Sequence, residues 1–115
     1  MTDRGPAHLK TTFLPRLRDE LQSLRTASVQ TSADRRPVEL DQQSVGRLSR
    51  MDAMQQQAMA AAQQTRRLGR IRALEAAVRR MDSGEFGWCE ECGEFIGQQR
   101  LELDPTLIRC RDCAG

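Results

Sequence analysis

The segment Cys89–Cys113, CEECGEFIGQQRLELDPTLIRCRDC, contains all four cysteines of the 115-residue chain, arranged as two Cys-x-x-Cys pairs. Two residues between cysteines let each pair form a tight knuckle, so that both thiolates reach one metal ion at about 2.3 Å. The 17 residues between the pairs fall within the spacing of four-cysteine zinc sites. Gly93 follows the first pair and is expected to adopt a positive φ. The segment therefore predicts one structural Zn²⁺, with four ligands: Cys89, Cys92, Cys110 and Cys113.

Two disulfides or a redox-active Cys-x-x-Cys pair are the alternative interpretations of these cysteines. A thioredoxin-like pair requires the strand-to-helix junction of a βαβ unit, and the sequence contains no such pattern. Four thiolates would also close the coordination of a zinc ion and leave no position for a catalytic water. The only histidine, His8, lies outside any pattern that pairs a nucleophile with a base, and no phosphate-binding loop occurs. We therefore predict that the protein is not an enzyme.

Composition narrows the class of protein further. Aromatic residues make up only 3% of the chain, so an extended helical architecture, a metal or both are needed for stability. Charged residues make up 30% but nearly cancel, at a net charge of +2, which argues against a protein that wraps nucleic-acid backbone. The sequence has no apolar run of the roughly 18 residues that a membrane span needs and no signal peptide at its start. We expect a cytoplasmic protein without a membrane partner, where cysteines bind metal more often than they form disulfides.

The N-terminal part of the chain predicts a short tail followed by a helix. Residues 1–11, which include Gly5 and Pro6, read as a flexible tail. From Thr12, a plausible N-cap, leucines recur at steps of three and four and form a stripe on one helical face. Pro15 is compatible with this helix because it falls in the first turn. The stripe consists of Leu14, Leu17, Leu21 and Leu24.

A second and longer helix is expected from Pro37 to Met81, with the sequence DSG at 82–84 as its C-cap. Its predicted stripe is Val45, Leu48, Met51 or Met54, Ala58, Ala62, Leu68, Ile71, Leu74 or Glu75, Val78 and Met81. A helix of roughly 40 residues is about 60 Å long and cannot bury this stripe alone.

The two helices are therefore expected to form one antiparallel hairpin. The predicted fold class is mainly α: a coiled-coil hairpin over residues 12–83, with its tip near 31–46, on a zinc-ribbon base over residues 84–115. The expected core of the base is Trp88, Phe95, Ile96, Leu101, Leu103, Leu107 and Ile108.

The last 43 residues resemble a known family. The sequence from Ala73, ALEAAVRRMDSGEFGWCEECGEFIGQQRLELDPTLIRCRDCAG, is similar to the zinc-finger segment of the DksA/TraR family of bacterial transcription regulators. The matching pieces are GEFGWCEECGEFI, RLELDPT and CRDC. The upstream stretch VELDQQSVGRLSRMDAMQQQAM resembles the shorter members of the family. The resemblance implies a zinc-bearing base that carries an antiparallel coiled-coil hairpin, as the periodicity also predicts.

The family resemblance also implies a function. Such proteins bind RNA polymerase directly, without docking on DNA, and insert the hairpin into the secondary channel. Acidic residues at the tip then alter the stability of promoter open complexes, often together with the alarmone (p)ppGpp. The expectation for this chain is a monomeric transcription regulator of this kind, with RNA polymerase as its partner.

The tip departs from the pattern of the best-known family members. Those members carry two aspartates separated by two residues, followed by an alanine two positions later. In this chain TSADRR offers only Asp34, and ELDQQSVG supplies Glu39 and Asp41 instead. Any of these acids could equally cap the second helix near its N-terminus, where negative charge is stabilising.

The family resemblance implies that basic residues near the junction of hairpin and base contact the polymerase rim or the alarmone. The candidates are Arg66, Arg67 and Arg70, in a cluster that also includes Arg72. Only Arg66 falls on a basic family position by ungapped count from Cys89, and a solvated helix face is the alternative for each.

Two other functions are open at this point. A zinc ribbon can bind nucleic acid, although this ribbon is acidic at Glu90, Glu91, Glu94, Glu102 and Asp104. A helical adaptor, whose stripe pairs with another protein, is the third hypothesis.

Overall fold

The computed structural model describes residues 6–35 and 47–114. It contains helix α1 (Pro6–Gln30), a 3-10 turn (Ser32–Arg35), helix α2 (Arg47–Ser83) and two short helices in the base, α3 (Gln98–Leu103) and α4 (Arg111–Ala114). α1 and α2 pack against each other as an antiparallel hairpin. The molecule measures 71 × 28 × 20 Å, as expected for a hairpin that projects from a small base. The predicted fold class is confirmed.

α1 begins at Pro6, six residues before the predicted start at Thr12. The prediction of a flexible tail is therefore wrong for residues 6–11, and Pro15 lies inside the helix rather than in its first turn. The reason is tertiary packing: the base buries Leu9 and Phe13, each only 1% exposed, one turn apart on the extended helix. The predicted start of the second helix at Pro37 lies outside the described residues.

α2 ends where the sequence predicts, at a glycine cap. Gly84 has a φ of +81°, its N–H donates to the carbonyl of Met81, and the N–H of Glu85 donates to the carbonyl of Arg80. These two bonds form a Schellman motif, which only a residue tolerant of positive φ closes without strain. The cap turns the chain out of α2 and into the base.

The core lies where the lower half of the hairpin meets the base. α1 contributes Leu9, Phe13, Leu14, Leu17 and Leu21, α2 contributes Ile71, Leu74, Ala77 and Met81, and the base contributes Phe86, Cys89, Ile96 and Leu101. Phe13 of α1 packs against Phe86 with ring centroids 5.6 Å apart. Of the predicted core of the base, Leu103 is 84% exposed and Ile108 is 36% exposed, so these two predictions are wrong.

The face of α2 that meets α1 differs from the predicted stripe in its distal half. The side chains that α1 and the 3-10 turn cover, wholly or in part, recur at steps of four and three and form an inner seam: Ala53, Gln57, Ala60, Gln64, Arg67, Ile71, Leu74, Val78 and Met81. Met51, Met54, Ala58, Ala62 and Leu68 were expected in the stripe but are exposed. The seam is polar at its centre because the facing residues at the end of α1 and directly after it are polar too. Gln64 Nε2 donates to Ser28 Oγ at 2.7 Å, and Arg67 donates at 3.4 Å to Oγ1 of Thr31, the residue after α1.

No helix among residues 6–35 and 47–114 is both long enough and apolar enough to span a lipid bilayer.

Candidate metal centre and hairpin surface

The four cysteine sulfurs converge on one point at the end of the base. All four Sγ atoms lie within 4.8 Å of one another, and those of Cys92 and Cys110 are 3.6 Å apart. A tetrahedral site with 2.3 Å Zn–S bonds separates its sulfurs by about 3.8 Å. The donor set and the spacing therefore fit zinc, as predicted from the Cys-x-x-Cys pairs.

Backbone hydrogen bonds shape each pair into a knuckle. In the first, the Gly93 N–H donates to the Cys89 carbonyl at 3.0 Å, and Gly93 has the predicted positive φ, +76°. In the second, the N–H groups of Cys113 and Ala114 both donate to the Cys110 carbonyl. A backbone hydrogen bond links the two knuckles: the N–H of Glu90, inside the first pair, donates at 2.8 Å to the carbonyl of Ile108, two residues before Cys110.

The acid–base properties of the thiols also favour a bound cation. Backbone N–H groups of Cys92 and Cys110 aimed at its sulfur lower the pKa of Cys89 to about 6. Shared hydrogen bonds with the other three sulfurs raise the pKa of Cys113 well above its ordinary value. Four sulfurs at this spacing thus resist joint ionisation unless a positive ion neutralises them.

Arg70 joins the hairpin to the base. Its Nε and Nη2 donate to the two carboxylate oxygens of Glu20 on α1, at 2.7 and 3.1 Å. Its Nη1 donates to Asp104 Oδ1 at 2.9 Å and to Thr106 Oγ1 at 3.0 Å. One guanidinium on α2 therefore connects α1 to the base.

This network shifts the pKa values of all three charged groups. The bond from Arg70 lowers the pKa of Glu20, and Glu20 in turn raises the pKa of Arg70. Burial opposes ionisation of Asp104, but the bonds from Thr106 and Arg70 outweigh it and lower the pKa of Asp104. Both carboxylates are consequently stabilised in their charged form.

Replacing Arg70 with glutamine is expected to lower the free energy of unfolding by about 1–2 kcal/mol, because Glu20 and Asp104 lose their shared cation. The side chains of the network are 31–39% exposed, so solvent screening keeps the effect below that of a buried ion pair. Both carboxyl pKa values are lowered, so the contribution is present above the unfolded carboxyl pKa, about 4, and is lost as the pH falls below it. Urea denaturation at pH 7 and at pH 3 measures the difference.

The matched control for this substitution is Arg66→Gln, on an exposed side chain for which the described residues offer no ion-pair partner. It is expected to change stability by less than about 0.5 kcal/mol at either pH. Equal effects of the two substitutions at pH 7 would contradict the role given to Arg70.

The structure separates the three arginines predicted at the polymerase rim. Arg66 is exposed, whereas Arg70 is held in the network above. Arg67 is half-buried in the inner seam and donates to Gln64 and Thr31. Arg35, in the 3-10 turn, also donates to Thr31 Oγ1, at 2.9 Å. A helical pattern in the sequence could not have identified Arg67 as a seam residue, since arginine usually lies on a solvated face.

Of the three predicted tip acids, only Asp34 lies within the described residues. It is exposed in the 3-10 turn and lines a shallow surface hollow together with Ala53, Gln57 and Ala60 of α2. Gln57 lies ten residues after the first residue of α2, so Asp34 lies beside α2 about 15 Å from that end of the helix. Glu39 and Asp41 lie outside the described residues, in the segment that connects the 3-10 turn to α2.

Comparisons with known proteins agree with this site. The family described as "Prokaryotic dksA/traR C4-type zinc finger" matches residues 84–115. Among curated proteins, the chain is 44% identical over 43 residues to the RNA polymerase-binding transcription factor DksA of Haemophilus influenzae, an alignment that covers 37% of this chain and 30% of that protein. The DksA of Escherichia coli is 42% identical over 43 residues, covering 37% of this chain and 28% of that protein.

The chain therefore covers about 30% of the length of the curated relatives that it matches. A solved structure extends the similarity to the hairpin. The structure of transcription factor DksA2 from Pseudomonas aeruginosa superimposes with a TM-score of 0.70, over 95% of this chain and 79% of that one, at 20% sequence identity. At that identity the likeness concerns the fold. The predicted zinc cofactor and the resemblance to the DksA/TraR family are both confirmed.

Proposed function

Because this chain carries the C4-type zinc finger of the DksA/TraR family, we propose that it is a transcription regulator that binds RNA polymerase directly. In this proposal the hairpin enters the secondary channel of the polymerase and alters the stability of promoter open complexes. The relatives that share the zinc finger carry the name of an RNA polymerase-binding transcription factor. The role is not enzymatic.

The observation that carries the proposal is the combination of this zinc finger with a long projecting hairpin. α2 alone has 37 residues, so it is about 55 Å long, and the molecule is only 28 × 20 Å across. The zinc site, the core and Arg70 all stabilise the end of the hairpin that meets the base. Such a molecule suits a function in which the base docks outside a channel and the hairpin reaches into it.

The tip acids are proposed to act near the polymerase active site. Asp34, Glu39 and Asp41 would present carboxylates to the catalytic magnesium or to basic residues of the channel, since hard cations prefer oxygen ligands. Asp34 is exposed and therefore free to make such a contact. We assign the effect to the three acids together.

The test is a transcription assay with purified polymerase and a promoter that forms short-lived open complexes. The triple variant Asp34→Asn, Glu39→Gln, Asp41→Asn is expected to lose at least about tenfold of the effect on open-complex lifetime, because each substitution removes a charge and keeps the shape. Binding to core polymerase, measured separately, is expected to stay within about threefold of the unmodified protein.

The matched control removes three exposed acids elsewhere: Asp19→Asn, Asp82→Asn and Glu102→Gln. It alters net charge by the same amount and is expected to keep the effect on lifetime. If the unmodified protein neither binds polymerase nor changes transcript yield, the proposed function is wrong. If control and tip variant behave alike, the acids act only through net charge.

For the alarmone, the described residues single out Arg66. Arg70 is satisfied by Glu20 and Asp104, and Arg67 is engaged within the seam, so Arg66 is the most accessible of the three predicted arginines. We propose that (p)ppGpp, where it contributes, increases the effect at the polymerase rim through Arg66, with Arg67 and Arg70 in supporting roles.

The acting form is a monomer in the cytoplasm, with RNA polymerase as partner and without direct sequence-specific binding to DNA. The acidic surface of the base supports the last point, because Glu91, Glu94 and Glu102 are exposed there.

A further inference from the structure

Two arginines from different parts of the hairpin converge on one hydroxyl group. Arg35, in the 3-10 turn after α1, donates from Nη1 to Thr31 Oγ1 at 2.9 Å. Arg67, on α2, donates from its own Nη1 to the same oxygen at 3.4 Å. Because both bonds end at one atom, the two guanidinium groups lie side by side. Both arginines are half-buried, so water screens the repulsion between their charges only in part.

The acceptors that these guanidinium groups reach are all uncharged. Arg35 Nη2 donates to the backbone carbonyl of Ser28, and Arg67 Nη1 donates also to Gln64 Oε1. Within the described part of the chain, neither arginine pairs with a carboxylate, and this includes Asp34, which directly precedes Arg35. Nε of both arginines and Nη2 of Arg67 donate no hydrogen bond to any described residue. Several donors therefore remain for a ligand.

The other two arginines that bridge α1 and α2 among the described residues have acidic partners. Arg25 pairs with Glu75 at 2.6 Å, and Arg70 pairs with Glu20 at 2.7 Å. Arginine keeps its charge when it is drawn between two helices, and a charge taken partly out of water is ordinarily paired. The arrangement at Thr31 differs from these two bridges because its acceptors carry no negative charge.

The C-terminal end of α1 offsets only part of the charge. The carbonyls of Ala27 and Ser28, in the last turn of α1, accept hydrogen bonds from Thr31 Oγ1 and Arg35 Nη2. The two guanidinium groups therefore lie at the negative end of the helix dipole, which is equivalent to about half an elementary charge. They carry two positive charges between them. More than one positive charge thus has no counterpart within the described residues.

We propose that Arg35 and Arg67 form an anion site that binds one phosphate group, either as the free ion or on a small molecule such as a nucleotide. A phosphate monoester carries about 1.5 to 2 negative charges at neutral pH, which is close to the charge that the helix end leaves unbalanced. Its oxygens point in several directions, so guanidinium groups from two separate segments can bind it together. A carboxylate, in contrast, has two oxygens in one plane and commonly pairs with a single guanidinium.

A bound phosphate would also tie the turn after α1 to α2. Arg35 belongs to the first of these segments and Arg67 to the second. The inner seam is polar at this level, where Gln64 meets Ser28, so few apolar contacts hold the two segments together. The anion site is therefore expected to stabilise the hairpin where its packing is weakest.

Nuclear magnetic resonance of the full-length, zinc-loaded protein tests the site in the absence of polymerase. Inorganic phosphate is titrated at constant ionic strength while the arginine Nε–H signals are recorded. The signals of Arg35 and Arg67 are expected to follow one saturable curve, with a dissociation constant of about 1 mM for a partly exposed site. The signal of Arg72, an exposed arginine five residues after Arg67, is expected not to move.

Substitutions assign the binding to these side chains. Arg67→Gln is expected to weaken phosphate binding at least about tenfold, because it removes one of the two charges. The matched control, Arg72→Gln, removes the same charge from an exposed position on the same helix and is expected to leave the dissociation constant unchanged. Arg67→Lys keeps the charge but not the planar fork, and an intermediate affinity is expected. This variant tests the site even if Arg67→Gln loosens the hairpin.

Thermal unfolding provides a second readout of the same site. Phosphate at about ten times its dissociation constant is expected to raise the melting temperature by roughly 5 °C over chloride at equal ionic strength. The increase is expected to disappear in Arg67→Gln and to persist in Arg72→Gln. A parallel titration with a nucleoside diphosphate separates the two sources of the phosphate group. Tighter binding of the nucleotide identifies a nucleotide site, and equal affinity identifies a site for the phosphate group alone.

Two results would overturn the anion site. One is a titration in which the signals of Arg35 and Arg67 move no more than that of Arg72, because the ion then only screens charge. The other is an equal loss of affinity in Arg67→Gln and Arg72→Gln. No measurement here includes polymerase, so failure of the anion site and failure of the proposed function are distinguishable.

Discussion

Removal of zinc is expected to unfold the base and to release the N-terminal end of α1 from it. Structural zinc sites contribute apparent binding free energies of about 10–16 kcal/mol at neutral pH, which is as much as the whole stability of a typical small domain. The base has little else: α3 and α4 span six and four residues, and Trp88 and Phe95 form only one isolated β-bridge in the described part of the chain. Without the metal, the four thiol groups are no longer held together by a shared ion.

The consequence extends to α1 because the base buries its first turns. Leu9 and Phe13 lie against Gly87 and Phe86, so unfolding of the base exposes both side chains to water. Addition of EDTA is therefore expected to shift Trp88 fluorescence to longer wavelength and to reduce helical circular dichroism in part. Addition of Zn²⁺ is expected to reverse both changes. If the protein keeps its Trp88 emission and its melting temperature after EDTA has removed the zinc, zinc is not structural.

A pair of substitutions separates the ligand role from general disturbance of the site. Cys92→Ser keeps the size of the side chain but weakens a zinc ligand, and it is expected to reproduce the effect of EDTA. Glu94→Gln alters an exposed side chain in the same knuckle and is expected to retain one zinc per chain. Zinc content by atomic emission, measured on both variants, provides the comparison.

Leu74→Ala is expected to lower the free energy of unfolding by about 3–4 kcal/mol. Leu74 has no exposed surface and lies at the centre of the core, where α1, α2 and the base meet. Truncation removes buried methyl groups and leaves a cavity that rigid helical neighbours fill only in part. Urea denaturation followed by circular dichroism at 222 nm measures the change.

The control for Leu74→Ala is the same substitution at Leu68, six residues earlier on the same helix. Leu68 is 41% exposed, so Leu68→Ala is expected to cost less than about 0.5 kcal/mol. A cost at Leu68 as large as that at Leu74 would mean that the stripe predicted from the sequence faces α1 after all.

Leu68 also illustrates where sequence reasoning about α2 fails. Alanine, methionine and glutamine make up most of residues 51–65, and the face that α1 covers there includes Gln57 and Gln64, so it is less apolar than the exposed face. The sequence favoured the face with Met51, Met54 and Ala58, whereas α1 covers the face with Ala53, Gln57 and Ala60. Hydrophobic periodicity identifies an inward face only when the other faces are clearly polar.

The contacts of Arg67 and Arg70 could not be predicted from the sequence for a related reason. A cluster of arginines on a helix is usually solvated, and the resemblance assigned it to a partner. In the structure, Arg70 meets Glu20 from fifty residues earlier and Asp104 from 34 residues later. No local sequence pattern predicts an ion pair between residues so far apart in sequence. The same applies to the hydrogen bond between Arg67 and Thr31.

Features that depend only on neighbouring residues could be predicted from the sequence. The zinc ligands follow from Cys-x-x-Cys spacing, the knuckle from Gly93, and the end of α2 from Gly84, because a short loop or a positive φ is a local requirement of the backbone. Tertiary contacts, in contrast, set three features: the face of α2 that meets α1, the start of α1 at Pro6, and the link that Arg70 makes between hairpin and base. Those features depend on the surface that a distant segment presents, and that surface exists only once the chain has folded.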